Sequence, residues 1–93
     1  MSTPDFESRP RLVPGCRLNE KTQQPRVLLM PERALRLSGP SLAIIERCDG
    51  NHTVREIVTE LQKLYSKAEP QKVEMDIVGY LGRLHEERAL DFD

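Results

Sequence analysis

The spacing of apolar and polar residues changes once along this 93-residue chain, close to Leu37. Before that point the period is two, or the apolar run is continuous. Cys16-Arg17-Leu18-Asn19 alternates as a half-buried strand does. Arg26 to Met30 is nearly all apolar, the pattern of a strand covered on both faces. Pro31 fixes its own φ and has no amide to donate, so this strand ends there in a turn. Ala34-Leu35-Arg36-Leu37-Ser38 then alternates again. The three segments predict an antiparallel meander with the 34–38 strand at one edge. Such an edge leaves a row of backbone N–H and C=O groups to be satisfied by something else.

After Leu37 the period becomes 3.6. Ser38 is expected to be an N-cap, and Gly39-Pro40 suits a first helical turn, where a missing donor costs nothing. Leu42, Ile44, Ile45 and Cys48 form the apolar side of a helix of about ten residues, stopped by Gly50. Thr53-Val54-Arg55-Glu56 is a capping box. The helix that follows carries Val54, Ile57, Val58, Leu61, Leu64 and Tyr65 on one face. A third helix is predicted near Pro70 to Arg88, with Val73, Ile77, Leu81 and Leu84 sharing a face. Ala89 to Phe92 closes the chain as a short extended tail. The prolines of Met1 to Pro14 and the lack of periodicity there predict a flexible arm along a single domain at 15–93. The order β-β-β-α-α-α predicts an α+β, winged-helix-like domain: a three-stranded antiparallel sheet followed by three helices.

Composition narrows the picture further. Ninety-three residues make one small core, with 38% hydrophobic and 31% charged residues. No apolar run approaches the roughly 20 residues that span a bilayer, and the acidic, proline-containing N-terminus lacks the apolar stretch of a signal peptide. No membrane association and a cytoplasmic location are therefore expected. Cys16 and Cys48 are too few for a disulfide scaffold, and Cys48 and His52 are separated by a chain-breaking Asp49-Gly50-Asn51, so no metal site is expected. Charge is split: Met1 to Ser38 holds seven Lys/Arg against four Asp/Glu, and Gly39 to Asp93 holds seven against eleven. The basic half contains the exposed edge.

Catalytic patterns are missing. The chain has no glycine-rich phosphate loop, no Walker lysine and no HExxH. Cys48 lies on the apolar side of its helix, where a thiol stays neutral. Asp49 fits turn chemistry, and Glu86-Glu87 sits on a solvated helix. No enzymatic activity and no cofactor are expected. Winged helices often bind DNA, which makes a nucleic-acid-binding protein the alternative reading. It requires a cationic third helix, yet Gln71 to Arg88 sets Lys72, Arg83 and Arg88 against Glu74, Asp76, Glu86 and Glu87. Such a surface lacks the counterion-release term that dominates DNA affinity, so no nucleic acid is expected. Two uses of the edge stay open. An extended peptide can add a strand to it, or the edge is covered by the N-terminal arm or simply blunted by Arg33 and Arg36.

Three stretches bear on that choice: Val27 to Ser38 with its Pro31-Glu32 turn, Ile44 to Gly50 with its Cys48-Asp49-Gly50 stop, and Thr53 to Val58. Together they resemble the PqqD family. Arg9-Pro10-Arg11-Leu12, Gly15 to Leu18, Leu81-x-x-Leu84 and Glu87 to Leu90 extend the similarity over Arg9 to Leu90. The resemblance implies a non-catalytic recognition domain that holds the precursor peptide PqqA and presents it to the radical S-adenosylmethionine enzyme PqqE. It implies that the peptide lies antiparallel to the third strand, in the groove between that strand and the third helix. On this sequence the bound backbone would run beside Arg33, Ala34, Leu35, Arg36 and Leu37, and the helix wall would come from Val73, Ile77 and Tyr80. Val73 and Ile77 fit the core stripe as well, whereas Tyr80 lies off it. Self-pairing into a homodimer, through the strand edge or by exchange of N-terminal arms, is a further expectation.

Overall fold

A computed structural model describes residues 5–92. Five strands and three helices appear in the order β1 (Pro10–Leu12), β2 (Arg17–Leu18), β3 (Val27–Met30), β4 (Arg33–Arg36), α1 (Pro40–Glu46), α2 (Val54–Leu64), α3 (Pro70–Glu86) and β5 (Leu90–Phe92). Strands β2, β3 and β4 make the expected antiparallel meander, with β4 at an edge. Pro31-Glu32 is a two-residue hairpin connection, because Met30 pairs directly with Arg33. The α+β class, with a three-stranded sheet and three helices, is as the pattern predicts.

The core lies between the inner face of this sheet and the helices. Leu28 and Leu37 meet Ile44 and Ile45 of α1, Val54, Ile57 and Leu61 of α2, and Ile77, Leu81 and Leu84 of α3. Each fully buried aliphatic side chain contributes about 2 kcal/mol of transfer free energy. Among the described residues no charged or polar residue is buried.

The ends of the chain differ from the sequence reading. The segment expected to be a flexible arm carries β1, which pairs antiparallel with β5 in a second, two-stranded sheet. Upstream of β1 the backbone runs along the start of α2. Ser8 O accepts from Val54 N and Phe6 O from Arg55 N, both at 2.9 Å. The first four amides of a helix have no partner within it, so these carbonyls supply partners for two of them. Pro10 is buried, and its carbonyl accepts from Gly50 N at 3.0 Å. The closing tail, expected to be merely extended, is β5.

The start of α1 also differs. Its N-cap is Gly39, not Ser38, with φ 55 and ψ −131. A Cβ is strongly disfavoured in that conformation, and glycine alone adopts it without strain. Ser38 takes part differently: the Ser41 hydroxyl donates to Ser38 O at 2.8 Å and accepts from Ser38 N at 3.3 Å. This closes the turn between β4 and α1. Helix α1 is seven residues long and ends in the Asp49 turn, where Oδ1 accepts from Asn51 N and His52 N. Gly50, at φ 78, continues that turn. The capping box at Thr53 and Glu56 is formed in both directions.

Candidate functional site

The edge of β4 is defined by which of its backbone groups point outward. Leu37 N donates to Arg26 O at 2.9 Å, so Arg26 and Leu37 form a hydrogen-bonded pair. Pair types alternate along an antiparallel ladder. Leu28–Leu35 and Met30–Arg33 are therefore hydrogen-bonded pairs as well, while Val27–Arg36 and Leu29–Ala34 are not. The N–H and C=O groups of Ala34 and Arg36 consequently face away from β3. Among the described residues β3 is the only strand paired with β4. The opposite edge of the sheet is β2, only two residues long and a poor template for pairing.

Side chains alternate in the other sense. Arg33, Leu35 and Leu37 share the face turned toward the helices, and Ala34 and Arg36 share the solvent face. Leu37 is buried in the core, Leu35 is half-buried, and Arg33, Ala34 and Arg36 are exposed. At the hairpin end, the Arg33 guanidinium reaches across to Glu87, the C-cap of α3, and forms an ion pair. Helix α3 packs mainly on α2 and β5 rather than on β4. The ion pair links the start of β4 to the end of α3.

Of the three helix residues expected to line the groove, Ile77 is buried in the core and Val73 and Tyr80 are half-buried. Val73 and Ile77 meet Pro40, Ile44, Leu61 and Tyr65 around an apolar hollow of about 140 Å³. This hollow lies where the first turn of α1, the last turn of α2 and the first turns of α3 converge. Tyr80 stands apart from it. Burial raises the pKa of its hydroxyl above the usual phenol value, so it stays protonated. Sequence reasoning missed Pro40 and Tyr65 as lining residues. The signal was present: Tyr65 ends the apolar stripe of α2, and Pro70 opens α3 only five residues later.

The opposite side of the molecule carries the polar side chains of Arg26, Glu46, Arg47, His52 and Glu60 around an open hollow. His52 Nδ1 lies 3.0 Å from Asp49 Oδ1, and Nε2 lies 3.4 Å from Glu60 Oε2. Glu60 also accepts from Arg47 Nε at 3.0 Å. The hydrogen bond that His52 donates to Asp49, with the nearby charges of Asp49, Glu60 and Glu56, raises the His52 pKa against the opposing effect of burial. Cys48 is buried beside this cluster, and desolvation pushes its thiol up to about 12, so it is no nucleophile.

Comparison with known proteins agrees with this architecture. The family described as coenzyme PQQ synthesis protein D (PqqD) matches residues 26–90. A PqqA binding protein of Xanthomonas axonopodis pv. citri is 33% identical over 85 residues, covering 90% of this chain and 91% of that protein. A bifunctional coenzyme PQQ synthesis protein C/D of Methylorubrum extorquens is 36% identical over 83 residues, which are 88% of this chain but 22% of that longer protein. Among solved structures, the solution NMR structure of the PqqD truncation of Methylobacterium extorquens PqqCD superposes with a TM-score of 0.68 at 36% identity. The match covers 88% of this chain and 87% of that one, which is described as a functional, stand-alone recognition element for ribosomally synthesized and post-translationally modified peptides. On sequence and on fold, the chain belongs to the PqqD family.

Proposed function

We propose that this chain recognises the precursor peptide PqqA in pyrroloquinoline quinone biosynthesis, holding it as an added strand on β4 and presenting it to the radical S-adenosylmethionine enzyme PqqE. The carrying observation is the outward row of N–H and C=O groups on Ala34 and Arg36, which no other strand of the described residues pairs with. Backbone pairing supplies affinity in such strand addition, and side-chain pockets supply selectivity. Arg33 to Leu37 offer the template strand. Val73, Ile77 and Tyr80 offer the wall, and the apolar hollow at Val73 is suited to one aliphatic or aromatic side chain of the guest. Relatives carrying the name PqqA binding protein support the identity of the peptide. The domain acts by binding, not by catalysis, and works in the cytoplasm. Two copies pairing through the same edge, or exchanging β1, would compete with the peptide.

The test is one substitution. Arg36→Pro removes a donor that points at the guest and makes no bond to β3, so the fold survives while the ladder to the peptide is interrupted. Titration calorimetry with PqqA is expected to show at least about tenfold weaker binding, against less than about threefold for Arg36→Ala. Unchanged affinity for a folded Arg36→Pro variant refutes strand addition at β4.

A further inference from the structure

The Arg33–Glu87 ion pair ties the site to itself. It joins the start of β4, the proposed template strand, to the end of α3, and both partners are partly exposed, at 57% and 39% of their side-chain area. A surface pair of this kind is worth little and opens readily. Its two partners are also unequal once it opens. Glu87 has Arg83 one helical turn back on α3, at the spacing where oppositely charged side chains meet. Arg33 has no second carboxylate among the ion pairs of the described residues, and Arg36, two residues along β4, makes none at all. Opening the pair therefore leaves, on the helix-facing side of β4, a guanidinium with only water in place of its carboxylate partner.

We infer that the Arg33–Glu87 pair is a displaceable strap across the hairpin end of the groove, and that the guest peptide enters by placing a carboxylate of its own where Glu87's had been. This deepens the strand-addition reading and rests on it. In an antiparallel guest the replacing Asp or Glu lies toward the C-terminal end of the paired stretch, because that end meets the start of β4. The strap makes the site selective. An uncharged guest must lose the ion pair without replacement, whereas a correctly placed acid exchanges one carboxylate for another. A planar guanidinium also accepts a carboxylate through two parallel N–H donors, so placement counts as well as charge.

The experiment uses the full chain and PqqA, with each Asp or Glu of the peptide changed in turn to Asn or Gln, measured by calorimetry at low ionic strength. With the wild-type protein, one such change toward the C-terminal end is expected to weaken binding about two- to fivefold. Glu87→Gln is expected to tighten binding of unmodified PqqA by a similar factor, since the competing carboxylate is gone. In Arg33→Ala the cost of the peptide change is expected to vanish. Circular dichroism melting checks that both variants fold. No sensitivity to any peptide carboxylate, unchanged or weaker binding by Glu87→Gln, or an undiminished peptide effect in Arg33→Ala each overturns the strap. Failure of the underlying reading looks different: Arg36→Pro then binds as tightly as wild type, or the wild-type protein does not bind PqqA.

Discussion

His52 shows how a single residue ties this fold to pH. Both of its ring nitrogens face carboxylates, Asp49 on one side and Glu60 on the other. Both nitrogens can donate only when the ring is protonated. The folded-state pKa is raised, mainly by the hydrogen bond the ring donates to Asp49. A raised pKa gives stability that is fully present below the unfolded value of about 6.5 and is lost as pH rises through the folded value. Asp49 behaves in the opposite sense. Burial raises its pKa, but the hydrogen bonds from the His52 ring and the Asn51 and His52 amides outweigh that and hold it below the usual carboxylate value. Its contribution is present at neutral pH and is lost as pH falls through the lowered value. Melting temperature is therefore expected to fall as pH rises from about 6 to 8, and His52→Asn is expected to flatten that dependence. An NMR titration of the imidazole protons checks the origin: Asp49→Asn should return the His52 midpoint toward the ordinary value. The sequence showed Asp49 as turn chemistry but could not show Glu60 beside His52. Those residues are eight apart, a spacing that no helix or strand period brings into contact.

At the scale of elements, legibility followed the length of the hydrophobic pattern. Helix α2 was readable because its stripe repeats over three turns and its capping box is local in sequence. The meander was readable because Pro31 and the alternation at Ala34 to Ser38 fix a hairpin. The β1–β5 ribbon was not, since each strand is only three residues and pairs with the far end of the chain. The start of α1 misled for another reason. Serine is a good cap in general, but Pro40 and the Gly39 conformation set the boundary one residue later. Within the candidate site, the edge position of β4 was legible, whereas the surroundings of Val73 and Ile77 were not, because those residues serve both the core and the apolar hollow. The role of the N-terminal segment is testable. A chain starting at Arg9 loses Phe6 O and Ser8 O, the acceptors for two first-turn amides of α2. Urea denaturation is expected to show a loss of about 1–3 kcal/mol. A loss below about 0.5 kcal/mol would mean that water replaces those carbonyls fully.

For the whole molecule, the uneven charge counts more than the net value of −1. On the proposed function, the β4 edge lies in the basic half and offers Arg33 and Arg36, while the acidic half supplies the helices. If the precursor is acidic, this charge split would guide it toward that edge rather than toward α3, and such guidance is screened over about 10 Å at 0.1 M salt. Affinity for PqqA is expected to fall by about two- to tenfold between 20 and 300 mM NaCl, mainly through slower association, as read by stopped-flow. A flat response would assign recognition to backbone pairing and the apolar hollow alone.

The pairing of Pro10 with Phe92 has a consequence at this same scale. Facing residues in an antiparallel ribbon lie only about 5 Å apart. Residues 6–8 then lead away from this ribbon along the start of α2, so β1 is clamped between the far strand and a helix entry. Peeling β1 off would strip β5 of its sole strand neighbour among the described residues, so the first and last strands stand or fall as one unit.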